Sequence, residues 1–81
     1  MHLEFSSVAS KQFRKLSPPE KLKVFKKIHL LKENPLIGKK LKGEFDQLRS
    51  LKAWPYRIIY SYLPKTGLFI NAIEHWQGVY K

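Results

Sequence analysis

The most constraining feature of the sequence is a change of character at Gly38, which divides a helical half from a half rich in strand-forming residues. Beyond Gly38, glycine and proline separate three runs of aromatic and β-branched residues, a pattern typical of short strands joined by turns. We predict strands near Glu44–Leu51, Tyr56–Leu63 and Leu68–His75, with a hairpin turn over 64–67. The second half of the chain should therefore form a sheet.

Local start and stop signals predict two helices in the first half, after a short strand at His2–Ser6. Ser7 precedes apolar residues at mixed helical spacings, which indicates a short first helix. Ser17 is followed by proline and, three residues after the serine, by Glu20, a pattern that caps the start of a helix. Asn34–Pro35 should end this second helix, because the residue before proline is disfavoured in helical angles.

The second helix is predicted to bury one face and to expose the other. The apolar residues that recur along it at helical steps are Val24, Phe25, Ile28 and Leu31. Leu30 falls on the lysine-bearing side, either as an ordinary exposed leucine or as part of a docking surface for a partner. Together the elements predict an α+β fold in the order β-α-α-β-β-β. Its two N-terminal helices would pack on one face of a mostly antiparallel four-stranded sheet, in a single domain over residues 1–81.

The charge of the chain points to a polyanionic partner. Lys and Arg number 16 against 6 Asp and Glu, which gives a formal net charge of +10. Neutralising phosphates releases counterions and provides affinity without sequence readout, so nucleic acid is the leading candidate. An acidic protein would use the same field, and a solvated basic surface kept for solubility is the third interpretation.

The sequence gives no sign of export, membrane insertion or metal chemistry. It has no cysteine, no apolar run long enough to span a membrane, and a start unlike a secretion signal, so we expect a cytoplasmic protein. Its three histidines fall in different predicted elements, without ligand spacing, and its acidic residues are scattered. No metal or other cofactor is expected.

Residues suited to RNA chemistry concentrate in the second half of the chain. They are Arg49, Lys52, Tyr56, Arg57, Tyr60, His75, Trp76 and Tyr80. Metal-free RNA cleavage needs a base for the 2′-hydroxyl, cations for the transition state and an acid for the leaving 5′-oxygen, and these residue types can fill each role. A tyrosine base would need a pKa lowered by nearby cations. The simpler interpretation is that Tyr56 and Tyr60 cover the sheet and that His75 is structural.

The segment from Leu48 to Tyr60 reads Leu-Arg-Ser-Leu-Lys-Ala-Trp-Pro-Tyr-Arg-Ile-Ile-Tyr. It resembles the RelE/ParE toxin superfamily, whose members carry a strand, a short turn and then Tyr-Arg-hydrophobic-hydrophobic-Tyr. Asn34–Leu36, Leu41–Gly43 and the ending Ile73–Lys81 extend the resemblance to nearly the whole chain. The resemblance implies a RelE-like, microbial-RNase-like fold. It also implies a ribosome-dependent endoribonuclease that cuts messenger RNA, pairs with a cognate antitoxin and binds operator DNA only as the toxin–antitoxin complex.

The same resemblance implies roles for particular residues. Arg57 stands at the position that contacts the scissile phosphate, and Tyr80 at the C-terminal tyrosine proposed as general base. His75 is the provisional general acid. Further contacts to RNA or the ribosome are expected from Arg49, Lys52, Trp76 and Lys81.

Position 76 departs from the family pattern, because Trp76 follows His75 where the family commonly has His-Arg. Loss of one transition-state cation lowers a rate by about a hundredfold or more. Three outcomes stay open: Lys52 substitutes for the missing cation, Trp76 stacks on an RNA base, or the chain is a weakened toxin that binds antitoxin and operator. The ParE branch, which inhibits DNA gyrase, is a further alternative that the strand motif alone does not exclude.

Overall fold

The computed structural model describes residues 2–41 and 47–75, and within them the chain forms two helices and five strands. Their order is β1 (Leu3–Phe5), α1 (Ser7–Arg14), α2 (Pro18–Glu33), β2 (Lys39–Lys40), β3 (Arg49–Ala53), β4 (Tyr56–Leu63) and β5 (Gly67–His75). The predicted α+β class and the two N-terminal helices are confirmed.

The strands form one mixed sheet in the order β1-β5-β4-β3-β2. Strand β1 runs parallel to β5, and the other neighbouring pairs in the described part of the chain are antiparallel. The prediction of four strands was wrong, because β2 adds a fifth strand at the edge. This strand consists of two exposed lysines, so it carries none of the apolar alternation that announces a strand.

The bounds of the longer strands agree with the sequence pattern to different degrees. Strand β4 has the predicted limits, and β5 begins one residue early, at Gly67, which is the last residue of the predicted turn and has a positive φ of 92°. Strand β3 begins at Arg49 and continues two residues beyond the predicted end at Leu51. The predicted start of that strand, over 44–46, lies outside the described residues.

Helix α1 is tied to β5 by the polar residue that precedes it. The Ser6 hydroxyl accepts a hydrogen bond from the backbone N–H of Ala9 (2.9 Å) and donates one to the carbonyl of Asn71 (2.7 Å). Farther along the helix, the Gln12 side-chain oxygen accepts from the backbone N–H of Ile73 (2.6 Å). The helix start and one segment of the sheet are therefore positioned by the same contacts.

Helix α2 starts as its sequence predicts and packs with a narrower face than expected. Ser17 and Glu20 form the capping box, and Asn34 caps the other end. Val24, Ile28 and Leu31 are buried, whereas Phe25 is 58% exposed. The prediction that Phe25 packs in the core was wrong, because a single-residue step rotates a side chain by about 100° around a helix.

The core lies between the helices and one face of the sheet. Its buried members are Ala9, Leu16, Val24, Ile28, Leu31, Ala53, Ile58, Tyr60, Leu68, Ile70 and Ile73. Because strand side chains alternate between faces, the neighbours of Ile58 in sequence, Arg57 and Ile59, belong to the other face. We call this the open face, since neither described helix contributes to a core on that side.

Candidate functional site

The hairpin of β3 and β4 places two predicted site residues side by side. Lys52 pairs with Arg57 across the two strands, and directly opposed residues in an antiparallel pair share a face. On its other side, Arg57 pairs with Glu74 of β5. The turn at Trp54 and Pro55 thus aligns two cations on the open face, with a carboxylate beyond them.

These two residues belong to a cleft of about 500 Å³ whose lining is strongly basic. We call it the basic cleft; it is lined by Lys27 of α2, Lys39 of β2, Ser50, Leu51 and Lys52 of β3, and Arg57 of β4. Its ionisable lining residues, within the described chain, are all cations. A site with four cations and no lining carboxylate favours a ligand that carries several negative charges.

Ser50 is the buried polar residue of the basic cleft. It is 6% exposed, and its hydroxyl has no hydrogen-bond partner among the residues that the structure describes. Sequence reasoning missed Ser50, Lys27 and Lys39. Strand parity could have indicated Ser50, which stands two residues before Lys52 and so shares its face, but no sequence signal links the two lysines of other elements to this strand.

Arg49, a predicted contact to RNA or the ribosome, lies elsewhere. Its guanidinium donates hydrogen bonds to the carbonyls of Gly38 (2.9 Å) and Leu36 (3.3 Å), on the side of the sheet opposite to Lys52. It does not line the basic cleft. The contacts give Arg49 a structural role, since they fasten the segment before β2 to β3.

His75, the predicted acid, is also separated from Arg57. It pairs with Tyr56 across β4 and β5, and the two rings meet edge to face with centroids 5.4 Å apart. Because Tyr56 and Arg57 are consecutive strand residues, their side chains leave opposite faces of the sheet. The structure thus brings Lys52 together with Arg57, but it does not bring His75 to the same face.

Two of the three tyrosines of β4, Tyr56 and Tyr60, have raised pKa values. The Tyr56 hydroxyl donates to a Glu20 carboxylate oxygen (3.0 Å), and burial together with this carboxylate raises the pKa of Tyr56. Tyr60 is fully buried, and burial raises its pKa, although the Gly38 N–H and the Arg49 charge act in the other direction. A raised pKa is the wrong direction for a base at neutral pH, so both tyrosines are structural.

The remaining predicted residues, Trp76, Tyr80 and Lys81, lie outside the described part of the chain, as do residues 42–46. Over 2–41 and 47–75, no group of three or more His, Cys, Asp or Glu side chains is arranged to hold a metal ion. No helix within the same residues is long and apolar enough to span a membrane.

Comparison with solved structures relates this fold to a set of toxins. The RelBE2 toxin–antitoxin complex of Mycobacterium tuberculosis matches with a TM-score of 0.81 and 25% identity over 90% of this chain and 94% of the matched chain. The isolated RelE toxin of E. coli matches with a TM-score of 0.79 and 26% identity over 90% of this chain and 81% of its own. The YoeB–YefM complex of Staphylococcus aureus shares the fold, with a TM-score of 0.79 at 14% identity over 93% of this chain and 95% of the other.

Sequence comparison adds no further relative: no protein-family model matches the chain, and no curated protein does. The assignment therefore depends on the shared sheet and helices, and on about a quarter of the residues being identical to those of RelE proteins over nine-tenths of the chain. On these grounds the chain is a member of the RelE-like toxin superfamily.

Proposed function

We propose that the chain is the toxin of a type II toxin–antitoxin system and that it inhibits translation by cutting messenger RNA on the ribosome without a metal ion. The observation that carries the proposal is the pairing of Lys52 with Arg57 inside the basic cleft. Two cations held side by side on a rigid hairpin are suited to a phosphate on which negative charge develops. The similarity to the RelE toxin of E. coli supports the toxin role.

In the proposed reaction, the 2′-oxygen of a nucleotide attacks the adjacent phosphorus and the bond from phosphorus to the 5′-oxygen breaks. The products are a 2′,3′-cyclic phosphate and a 5′-hydroxyl, whose proton comes from water. Arg57 and Lys52 stabilise the charge of the five-coordinate transition state. Following the family resemblance, Tyr80 takes the proton of the 2′-hydroxyl. His75 receives no catalytic role, since it leaves the opposite face of the sheet from Arg57.

The proposal includes partners. A cognate antitoxin is the first, in keeping with the toxin–antitoxin complexes of M. tuberculosis and E. coli that share this fold. Messenger RNA bound to the ribosome is the substrate, and operator DNA is bound only by the toxin–antitoxin complex. The cytoplasm is the compartment where all of them meet. The net charge of +10 supplies attraction to the nucleic acids among these partners.

The test is cleavage of messenger RNA on translating ribosomes with and without a chelator, read by primer extension. We expect cuts in both conditions. Arg57→Ala should reduce the cleavage rate by about a hundredfold or more. Lys65→Ala is the matched control, since it removes a cation from the exposed turn between β4 and β5, away from the basic cleft.

Two results would contradict the proposal. Messenger RNA that stays intact with the unmodified protein would exclude the proposed nuclease activity. Inhibition of DNA gyrase in a supercoiling assay would then favour the ParE branch. Equal cleavage by Arg57→Ala and Lys65→Ala would remove Arg57 from the mechanism.

A further inference from the structure

Ser50 is anomalous for a buried residue. It is 6% exposed, and its hydroxyl lacks a hydrogen-bond partner within residues 2–41 and 47–75. Most buried side-chain polar atoms in folded proteins have a partner, so an unpaired one needs an explanation. Ser50 lines the basic cleft, and a ligand in that cleft would provide one.

The chemistry around Ser50 specifies the ligand. A serine hydroxyl can donate one hydrogen bond, and the ionisable side chains that line the cleft with it are Lys27, Lys39, Lys52 and Arg57. The oxygens of a phosphodiester accept hydrogen bonds and carry the charge that the four cations attract. A hydroxyl donor also adds no further repulsion to a cluster of cations.

The size and outline of the cleft indicate a ligand larger than a single phosphate. Its volume of about 500 Å³ falls within the range of about 300–1,000 Å³ that holds small-molecule ligands. Strand β2 pairs only with Arg49 and Ser50, so β3 continues past its neighbour toward Lys52. Lys39 belongs to that short strand and Lys27 to α2, so the lining extends from the open face around this edge.

We propose that the basic cleft binds two successive phosphates of a single RNA strand, one at Lys52, Arg57 and the Ser50 hydroxyl, and the next at Lys27 and Lys39. The Ser50 hydroxyl donates to a non-bridging oxygen of the first phosphate. The RNA therefore leaves the sheet over the edge of β3, between α2 and β2. This inference deepens the proposed function and rests on it.

The first experiment measures binding of a labelled trinucleotide whose 2′-oxygens are methylated, so that it cannot be cut, to the purified full chain by fluorescence anisotropy. Ser50→Ala should weaken binding about tenfold, as expected for loss of one hydrogen bond to a charged group. Urea unfolding of the same variant should show no loss of stability, because the removed hydroxyl has no hydrogen-bond partner among the residues that the structure describes. Ser61→Ala is the matched control, a half-buried strand serine that does not line the basic cleft.

The second experiment tests the extent of the site. Lys27→Ala and Lys39→Ala should each weaken binding of the trinucleotide and reduce the slope of log K against log salt, and the double variant should reduce that slope by about 0.7, the contribution of one phosphate contact in a single strand. Binding of inorganic phosphate alone should be unchanged in these two variants, since it occupies the site of Arg57.

The outcomes separate this inference from the proposed function. Normal trinucleotide affinity in Ser50→Ala, with cleavage on the ribosome still dependent on Arg57, overturns the inference and leaves the nuclease intact. A parallel loss of affinity and stability in Ser50→Ala makes Ser50 a structural residue and overturns its assignment as a ligand. Unchanged salt slopes in both lysine variants overturn the second phosphate position.

Discussion

Removal of one hydroxyl from the core should destabilise the protein out of proportion to its size. Tyr60 is fully buried; its hydroxyl accepts a hydrogen bond from the backbone N–H of Gly38 (2.9 Å) and donates one to the carbonyl of Pro35 (2.8 Å). Together these bonds hold the segment between α2 and β2 against the sheet. Tyr60→Phe deletes both bonds and keeps the ring.

The magnitude follows from what the substitution leaves behind. Gly38 is buried, and a buried N–H without a partner is unfavourable by about 1–3 kcal/mol. Pro35 is half-buried, so water can reach its carbonyl and offset part of the second loss. We expect a decrease of about 2 kcal/mol in the free energy of unfolding. A domain of this length has a free energy of unfolding of roughly 4–12 kcal/mol, so the expected decrease is a large share of it.

The assay is urea unfolding followed by far-UV circular dichroism, with thermal unfolding as a second measure. A loss of about 2 kcal/mol should lower the melting temperature by roughly 8–16 °C and leave the urea m-value unchanged. Tyr62→Phe is the matched control, because Tyr62 lies on the same strand, is half-buried, and its hydroxyl makes no hydrogen bond within the described residues. Its stability should change by less than about 0.5 kcal/mol. Equal losses in the two variants would refute the reasoning.

Three further predictions concern the same packing and the start of α2. Gly38→Ala should lose about 2–3 kcal/mol in urea unfolding, because an added Cβ would lie 2.5 Å from the Tyr60 hydroxyl oxygen and must displace a buried ring; a loss under about 0.5 kcal/mol would contradict the close approach. Burial raises the pKa of Tyr60, so this group's contribution to stability is complete below about pH 10 and is lost as the pH rises through the raised value; Tyr60→Phe should flatten this alkaline decline in unfolding curves, and an unchanged decline would exclude Tyr60 as its source. Hydrogen bonds from the Ser17 backbone and hydroxyl lower the pKa of Glu20, so its contribution is present above the usual carboxyl range and is lost as the pH falls through the lowered value; Ser17→Ala should lose about 1 kcal/mol and raise the pKa of Glu20 in an NMR titration, and an unshifted pKa would count against the capping box.

The elements that the sequence predicted well are those whose start, end or periodicity is specified by residues close together in the chain. Helix α2 starts at its capping box and ends at Asn34, and β4 has its predicted limits, because caps, proline and alternating apolar residues act over a few positions. Strand β2 has no such signal. Its two exposed lysines pair with Arg49 and Ser50 only because the chain returns to the edge of the sheet.

The residues of the candidate site also divide into those that local sequence predicts and those that only the packing of the elements brings together. Lys52 and Arg57 are equidistant from the turn at Trp54 and Pro55, so their pairing follows from a hairpin that the sequence already indicates. Arg49 stands three positions from Lys52, and this odd spacing in a strand predicts that the two side chains lie on opposite faces. Lys27 and Lys39 enter the basic cleft only through the packing of α2 and β2 around the edge of β3.

By itself, the sequence determined the α+β class, the basic character and the pair of cations that flank a short turn. The tertiary structure decided on which face each side chain emerges. The register of β4 with β5 shifts by one residue between Ile59 and Tyr60, and such a shift exchanges the faces of all residues beyond it. The shift lets both Ile70 and Ile73 reach the core, three positions apart, while Ser6 from the start of α1 bonds the Asn71 carbonyl between them. With this shift Arg57 lies opposite Glu74, whereas an unbroken register from Tyr60 and Ile70 would place it opposite Ile73, and no local pattern around Arg57 specifies the shift.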